Sequence, residues 1–357
     1  MKKKHILFLS CFLLLTLAPI PVFSLFKEQI GYKNTENKAA ADFPDLGLDN
    51  YTTFPKRFEE WLSDNLPFKT QFIEMYRGFQ LRSGMDFEQS DVIRGEADNL
   101  FYRVTVENYK GIQRFSDEEL ASIRDNLSGF FHMMENQGTE CLFYIAPDKE
   151  QVYSRYMPER IRRVSEESRG DQTAAWLREK LRQPVLYPKA ELTILSQSDP
   201  VYFDTDTHWN ELGGYIAAGQ IKAAFTQQEA ALTVPDYQYY NEDGKDLAMI
   251  LGLSDLIPEK NAVMIDFDDG IKTRKRETLD YGRIQRFTSD APNHKKLMII
   301  GDSFSEYFMR SAIHEVDEVL FITYGQLSLI DFEAEAPDYV VVMLVERNLP
   351  FLLNGFY

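Results

Sequence analysis

Apolar residues in this chain cluster in ways that separate strands from helices. Residues 297–300 are apolar without alternation, as expected of a strand covered on both faces. Residues 141–146 predict another buried strand, ending at Pro147, and 319–323 and 339–345 supply two more. Shorter strands are expected at 91–94 and 100–102, around a turn, and at 185–187. Between them the spacing changes to the helical period. Leu120, Ile123, Leu127, Phe130 and Met134 share one face of a helix that Ser116 and Glu119 open as a capping box and Gly138 stops. Residues 173–182, the Ala-rich 211–225 and about 306–314 predict further helices. Strands alternating with helices imply an α/β fold, a mostly parallel sheet with helices on both faces.

Outside this body the pattern differs. Residues 54–82 are helical, with Phe58, Trp61, Leu62 and Leu66 forming a stripe expected to face a core, a break at Pro67 and a second helix from 69 to 81. Residues 25–53 are polar and pattern-poor, a linker or lead-in. Residues 226–290 are irregular and rich in Asp and Gly; they predict an inserted excursion or lid, with the core resuming at Leu297. At the start, Lys2, Lys3, Lys4 and His5 precede an apolar run over 6–20, the pattern of an export signal, with Val22 and Ser24 at a possible cleavage site. An uncleaved membrane anchor is the alternative, although the run is short for a span. The expected organisation is a signal peptide or anchor over 1–24, a linker and helical segment over 25–90, and a catalytic domain over 91–357.

Composition narrows the classes. At 357 residues, with 44% hydrophobic and 13% aromatic residues, the chain can bury a full core. A net charge of −17 argues against nucleic acid as a partner and sits awkwardly with a polyanionic substrate. Cys11 lies in the leader, so the two cysteines make no disulfide framework.

Chemistry concentrates at two places. Ser303, in Gly301-Asp302-Ser303, follows the apolar strand and precedes a helix, where open α/β sheets place their chemistry. A plain helix cap is the alternative for Ser303, with Asp302 closing the turn. A nucleophilic serine needs a base and an orienting carboxylate. Asp206 and His208 are two apart, so an extended segment would send both side chains from one face. Asp204, Asp206 and His208 could instead ligate a metal, but no second His or Cys cluster completes such a site. No phosphate loop or Cys-x-x-Cys is present, so neither a metal nor a cofactor is expected.

At these residues the chain resembles the alginate O-acetyltransferase AlgJ/AlgX family and the related DHHW proteins, within the SGNH hydrolases. Gly301-Asp302-Ser303 is similar to the nucleophile block, and Asp206-Thr207-His208-Trp209 to the Asp/His block, here ahead of the serine as in that family. Thr207 stands where the DHHW name has His. Looser matches are Val92 to Gly95, Asn99 to Tyr102, Ala146 to Glu150, Asp246 to Gly252, and Glu346-Arg347. The resemblance implies a flavodoxin-like SGNH fold and a catalytic set of Ser303, His208 and Asp206. The Ser303 amide would be one oxyanion donor, and Gly325 or Arg347 are candidates for the second. Trp209 could pack a sugar ring or brace His208. The implied activity is O-acetyl transfer to an exopolysaccharide or wall polymer, in the periplasm or on the outer face of the cell membrane. A membrane-bound O-acyltransferase would supply the acetyl group. A secreted acetylesterase, or a non-catalytic polysaccharide-binding scaffold, are the rival readings.

Overall fold

The computed structural model describes residues 3–18, 25, 41–45, 47, 50–64, 68–230 and 233–356. They divide into two units: Met1–Gln89 with Ala248–Leu256, and Ser90–Leu247 with Ile257–Tyr357.

The first unit carries helices α1 (Lys3–Leu17), α2 (Phe54–Asp64) and α3 (Lys69–Ser83). Among the described residues no helix is long and apolar enough to cross a membrane. The expected cleavage site at Val22 and Ser24 lies outside the described residues, as do Leu66 and Pro67. The stripe on α2 is not a core stripe: no residue of α2 is buried and Leu62 is exposed. Phe58 and Trp61 pack instead on other rings, Phe58 against Phe54 at 5.8 Å and Trp61 against Phe43 at 4.9 Å. Helical spacing says which side chains share a face, not what covers them. Helix α3 stops at Gly84, whose left-handed φ of 70° lets its amide reach back to Gln80 and Leu81.

The second unit is built on a sheet. Its strands in chain order are β1 (Val92–Arg94), β2 (Leu100–Tyr102), β3 (Glu140–Ala146), β4 (Val185–Leu186), β5 (Tyr237–Tyr239), β6 (Val263–Ile265), β7 (Thr273–Leu279), β8 (Ile284–Ser289), β9 (Lys296–Gly301), β10 (Glu318–Thr323) and β11 (Tyr339–Val345). Seven of them form one sheet in the order β4-β3-β11-β9-β10-β8-β7. The first five run parallel, and β8 and β7 add on antiparallel. β1 with β2, and β5 with β6, make separate antiparallel pairs.

Pleating sends alternate side chains of the central strands into two cores. Leu297 and Ile299 of β9, with Val341 and Met343 of β11, face α6 (Glu211–Phe225) and α7 (Ser305–Ala312). Met298 and Ile300, with Val340 and Val342, face α4 (Asp117–Glu135) and α5 (Arg169–Lys180). Helix α4 opens with the expected capping box of Ser116 and Glu119.

The irregular insertion expected over 226–290 needs correcting. Strands β7 and β8 lie within it and belong to the main sheet, so the sheet resumes at Thr273 and not at Leu297. β7 reads Thr-Arg-Lys-Arg-Glu-Thr-Leu and is almost wholly exposed, so hydrophobic periodicity carries no trace of it. Its basic residues suit an edge, where charge discourages pairing with another chain.

Candidate active site

Three parallel strands, β3, β9 and β11, end side by side, and the chain segments leaving them build the site. Gly301 ends β9. A Cβ there would lie 2.6 Å from the Met343 carbonyl oxygen and 2.4 Å from Ser305 Oγ, so close approach, and no special backbone angle, requires glycine. Asp302 then ties the turn down. Its carboxylate accepts from the amides of Phe304 (3.1 Å) and Val345 (2.9 Å) and from Asn348 Nδ2 (2.8 Å). Ser303 is left exposed at the top of α7.

The Asp206–His208 segment approaches from elsewhere. It is a loop closed by a bridge between Tyr202 and Trp209, not the extended stretch expected from the spacing. Asp206 and His208 meet through a tight turn in which Asp206 Oδ1 accepts the amides of Thr207 (2.6 Å) and His208 (3.2 Å). The same oxygen is 2.7 Å from His208 Nδ1. His208 Nε2 is 2.7 Å from Ser303 Oγ, across 95 residues of chain. Ser303, His208 and Asp206 therefore form one hydrogen-bonded line, with the serine open to solvent and Asp206 side-chain exposure only 7%. Burial works against the Asp206 charge. The His208 hydrogen bond and charge, with the two amides, outweigh it and hold the carboxyl below its usual range.

Much of the support lies outside the motifs. Lys149 is buried, and its ammonium donates to the carbonyls of Leu100 (2.8 Å), Asp204 (2.7 Å) and Asp206 (3.3 Å). Burial pushes its pKa down to about 8, against the pull of nearby carboxylates led by Asp204. Glu259 accepts the amides of Asp204 (2.9 Å) and Thr205 (2.8 Å). Burial lifts the neighbouring Asp148, Glu150 and Asp204 carboxyls to about 6, 8 and 6. Sequence reasoning missed the roles of Lys149 and Glu259. The Ala146-Pro-Asp-Lys-Glu150 match was the one signal pointing toward Lys149, and nothing local pointed toward Glu259.

The remaining expected residues fall out unevenly. Arg347, a candidate for the second oxyanion donor, is engaged with its neighbours. Its guanidinium donates to Asp148 (2.8 Å) and Thr207 Oγ1 (3.2 Å) and lies 5.2 Å over the Phe304 ring. It clamps the segments that carry Asp206 and Ser303. Gly325 sits in an exposed turn with φ 80° and forms no hydrogen bond with Ser303, His208 or Asp206. Trp209 is fully buried, so its ring offers no face to a sugar. Its Nε1 donates to the Phe304 carbonyl at 2.8 Å, a brace between the two halves of the site. The Ser303 amide makes no hydrogen bond among the described residues and remains available as a donor. Among the described residues Asp204 does not join Asp206 and His208 in a group that could hold a metal; its Oδ1 accepts from Asn261 Nδ2 at 2.8 Å. Asp246 instead joins Asp206 and His208, with ligand-type atoms within 4.8 Å of one another. Both ring nitrogens of His208 are already engaged, one by Asp206 and one by Ser303.

A family model, the SGNH hydrolase-like domain of the acetyltransferase AlgX, matches residues 92–311. Among solved structures, a DHHW family protein from Eubacterium siraeum is similar at 14% identity and TM-score 0.55, covering 75% of this chain and 97% of that one. PatB1 from Bacillus cereus, determined with a sulfonyl adduct, is similar at 15% identity and TM-score 0.50, covering 67% and 93%. The O-acetyltransferase domain of Pseudomonas putida AlgJ is similar at 19% identity and TM-score 0.49, covering 72% and 92%. At such identities the structural likeness concerns the fold alone. No curated protein matches the chain.

Proposed function

The chain belongs to the AlgX family of SGNH hydrolase-like acetyltransferases, and from that membership we propose that it is an exported O-acetyltransferase acting on a cell-envelope glycan. The line from Ser303 through His208 to Asp206, at the open end of the sheet, carries the proposal. Ser303 Oγ attacks the acetyl carbonyl carbon of a donor ester while His208 Nε2 takes its proton. Asp206 holds the other nitrogen as N–H and faces the imidazolium that forms. The Ser303 amide stabilises the developing oxyanion. The donor alcohol leaves with the proton from His208, and Ser303 retains the acetyl group as an ester. An acceptor hydroxyl then repeats the sequence in reverse.

Arg347 and Lys149 act as positioning residues, since each joins segments that carry Asp206 or Ser303. Export is supported by the basic start and the apolar helix α1. The acetyl group would reach the enzyme from a membrane-bound O-acyltransferase, as the family resemblance implies.

Turnover of a small acetyl ester and labelling by a sulfonyl fluoride test the reading. Ser303→Ala and His208→Ala should each cost about 10⁴-fold or more, with the double variant little worse. The sulfonyl reagent should modify Ser303. With a glycan present, acetyl should pass to sugar hydroxyls faster than to water; if water always wins, the protein is an esterase. A folded Ser303→Ala variant with full activity would reduce Ser303 to a helix cap and refute the proposal.

A further inference from the structure

A polar cavity of about 330 Å³ lies between α6, the end of α7 and the loop after β6, and none of the catalytic residues lines it. The loop supplies its wall. The Phe267 ring stacks on the His314 imidazole at 3.7 Å, only 9° from parallel, and Asp269 Oδ2 is 2.8 Å from His314 Nδ1. Two side chains of one loop thus grip one ring, and the cavity is preformed. With Nδ1 donating to the carboxylate, His314 Nε2 is left as an acceptor. Tyr215 of α6 stands 6.1 Å from Phe267 and completes an aromatic corner.

Two further observations point to an occupant. Gly219, also in the lining, sits in the interior of α6, where glycine is destabilising relative to alanine. Its backbone is ordinary helix, and a Cβ there would meet nothing within 4 Å among the described residues, so packing gives no reason for glycine. Open space is kept at that point at a cost in helix stability. Ser311, in the same lining, is buried, and its hydroxyl has no hydrogen-bond partner. The lining also excludes some ligands. Lys222 and His314 are each paired with a carboxylate, Lys222 with Glu315 at 2.6 Å, so a phosphate finds no free cation. Among the described residues no metal-ligating group forms here.

We propose that this cavity is a remote glycan subsite, holding one sugar residue of the acceptor polymer while another is acetylated at Ser303. The inference rests on the acyl-transfer reading above. A sugar ring offers apolar C–H faces to the aromatic corner, and hydroxyls that both donate and accept to His314, Asp269 and Ser311. Helix α7 connects the two places: Ser303 precedes it and Ser311 ends it, about 12 Å further on at the helical rise. Tyr307 and Arg310 lie between them on the face that leads to His314, with Arg310 4.8 Å over the Tyr307 ring. A polymer can reach both places at once and a single sugar cannot. Once one end is bound the second contact is intramolecular, which lowers KM for long acceptors and leaves the chemical step alone.

Acceptors of increasing length test this. The full chain is supplied with a small acetyl ester and with glucan, N-acetylglucosamine and mannuronate ladders, each running from a single sugar to an octasaccharide. Transfer is read by mass spectrometry. In the ladder that accepts acetyl, KM should fall by about tenfold or more once the acceptor spans both places, at steady kcat. Gly219→Leu, which puts a side chain into the cavity, should erase that gain and leave kcat, single-sugar transfer and ester hydrolysis unchanged. Phe267→Ala, which removes the wall, should act in the same direction. Gly219→Ala should keep most of the gain and melt no lower than wild type. A KM independent of acceptor length, or a length dependence that neither Gly219→Leu nor Phe267→Ala moves, overturns the subsite. So does a Gly219→Leu variant that loses single-sugar transfer equally, since the cavity would then act only through the catalytic helix. Ser303-dependent ester hydrolysis with no transfer to any ladder refutes the subsite while leaving the Ser303 chemistry standing. Absence of any Ser303-dependent turnover refutes the reading beneath it.

Discussion

Replacing Asp206 by Asn separates two jobs of that carboxylate, orientation and charge. Asp-to-Asn at the orienting position of a serine triad can cost about 10⁴-fold, when the amide NH₂ faces the imidazole and forces the wrong tautomer. Here Oδ1 already accepts two backbone amides, from Thr207 and His208, as well as His208 Nδ1. Turning an Asn NH₂ toward that position would set it against two N–H groups. The amide oxygen of the introduced side chain should therefore stay where Oδ1 is, and His208 should keep its tautomer. What is lost is the negative charge facing the imidazolium. Unit charges about 4 Å apart at an effective dielectric of about 20 interact by about 4 kcal/mol. Part of this is retained by the Asn dipole, so the loss should be about 10²- to 10³-fold in kcat/KM. Asp206→Ala removes the acceptor altogether and should cost more, about 10⁴-fold. Steady-state kinetics on a small acetyl ester measure both, with circular dichroism to confirm folding. An Asn variant as damaged as the Ala variant would refute the argument from the two amides.

Two further outcomes follow from packing and burial. A Cβ on Gly214 of α6 would lie 2.5 Å from the Tyr307 carbonyl carbon on α7, so Gly214→Ala should destabilise by about 1–3 kcal/mol in denaturant unfolding and lower turnover through the helix that follows Ser303. The second concerns pH. Burial raises the Glu150 carboxyl from 4.5 to about 8, and Asp148 from 3.8 to about 6. The folded state therefore holds protons that the unfolded state has released, and stability falls as pH rises from about 4 toward 8. Thermal midpoints measured across that window should decline, and Glu150→Gln should flatten the decline above pH 6; an unchanged slope would show that Glu150 does not contribute.

The strands β3, β9 and β11 were legible because each is buried on both faces, which leaves an unbroken apolar run that no surface element shares. The capping box at Ser116, and the placing of Ser303 after a buried strand, rest on residues a few positions apart, so local chemistry sufficed. Asp206 and His208 were identifiable as a pair, but an extended segment was the wrong geometry: the bridge between Tyr202 and Trp209 bends the loop. Tertiary structure alone decided the rest, because those contacts join distant positions. Lys149 reaches Asp206 across 57 residues, Glu259 reaches Thr205 across 54, and Arg347 reaches Asp148 across 199. Each is a charged side chain in a sequence full of them, and burial beside the site distinguishes it. β7 stayed hidden for the converse reason: an exposed edge strand is held by backbone hydrogen bonds to β8, which any residue type but proline can make. The α2 stripe was visible, but its cover was not, since periodicity records a shared face and only the folded chain supplies what lies against it.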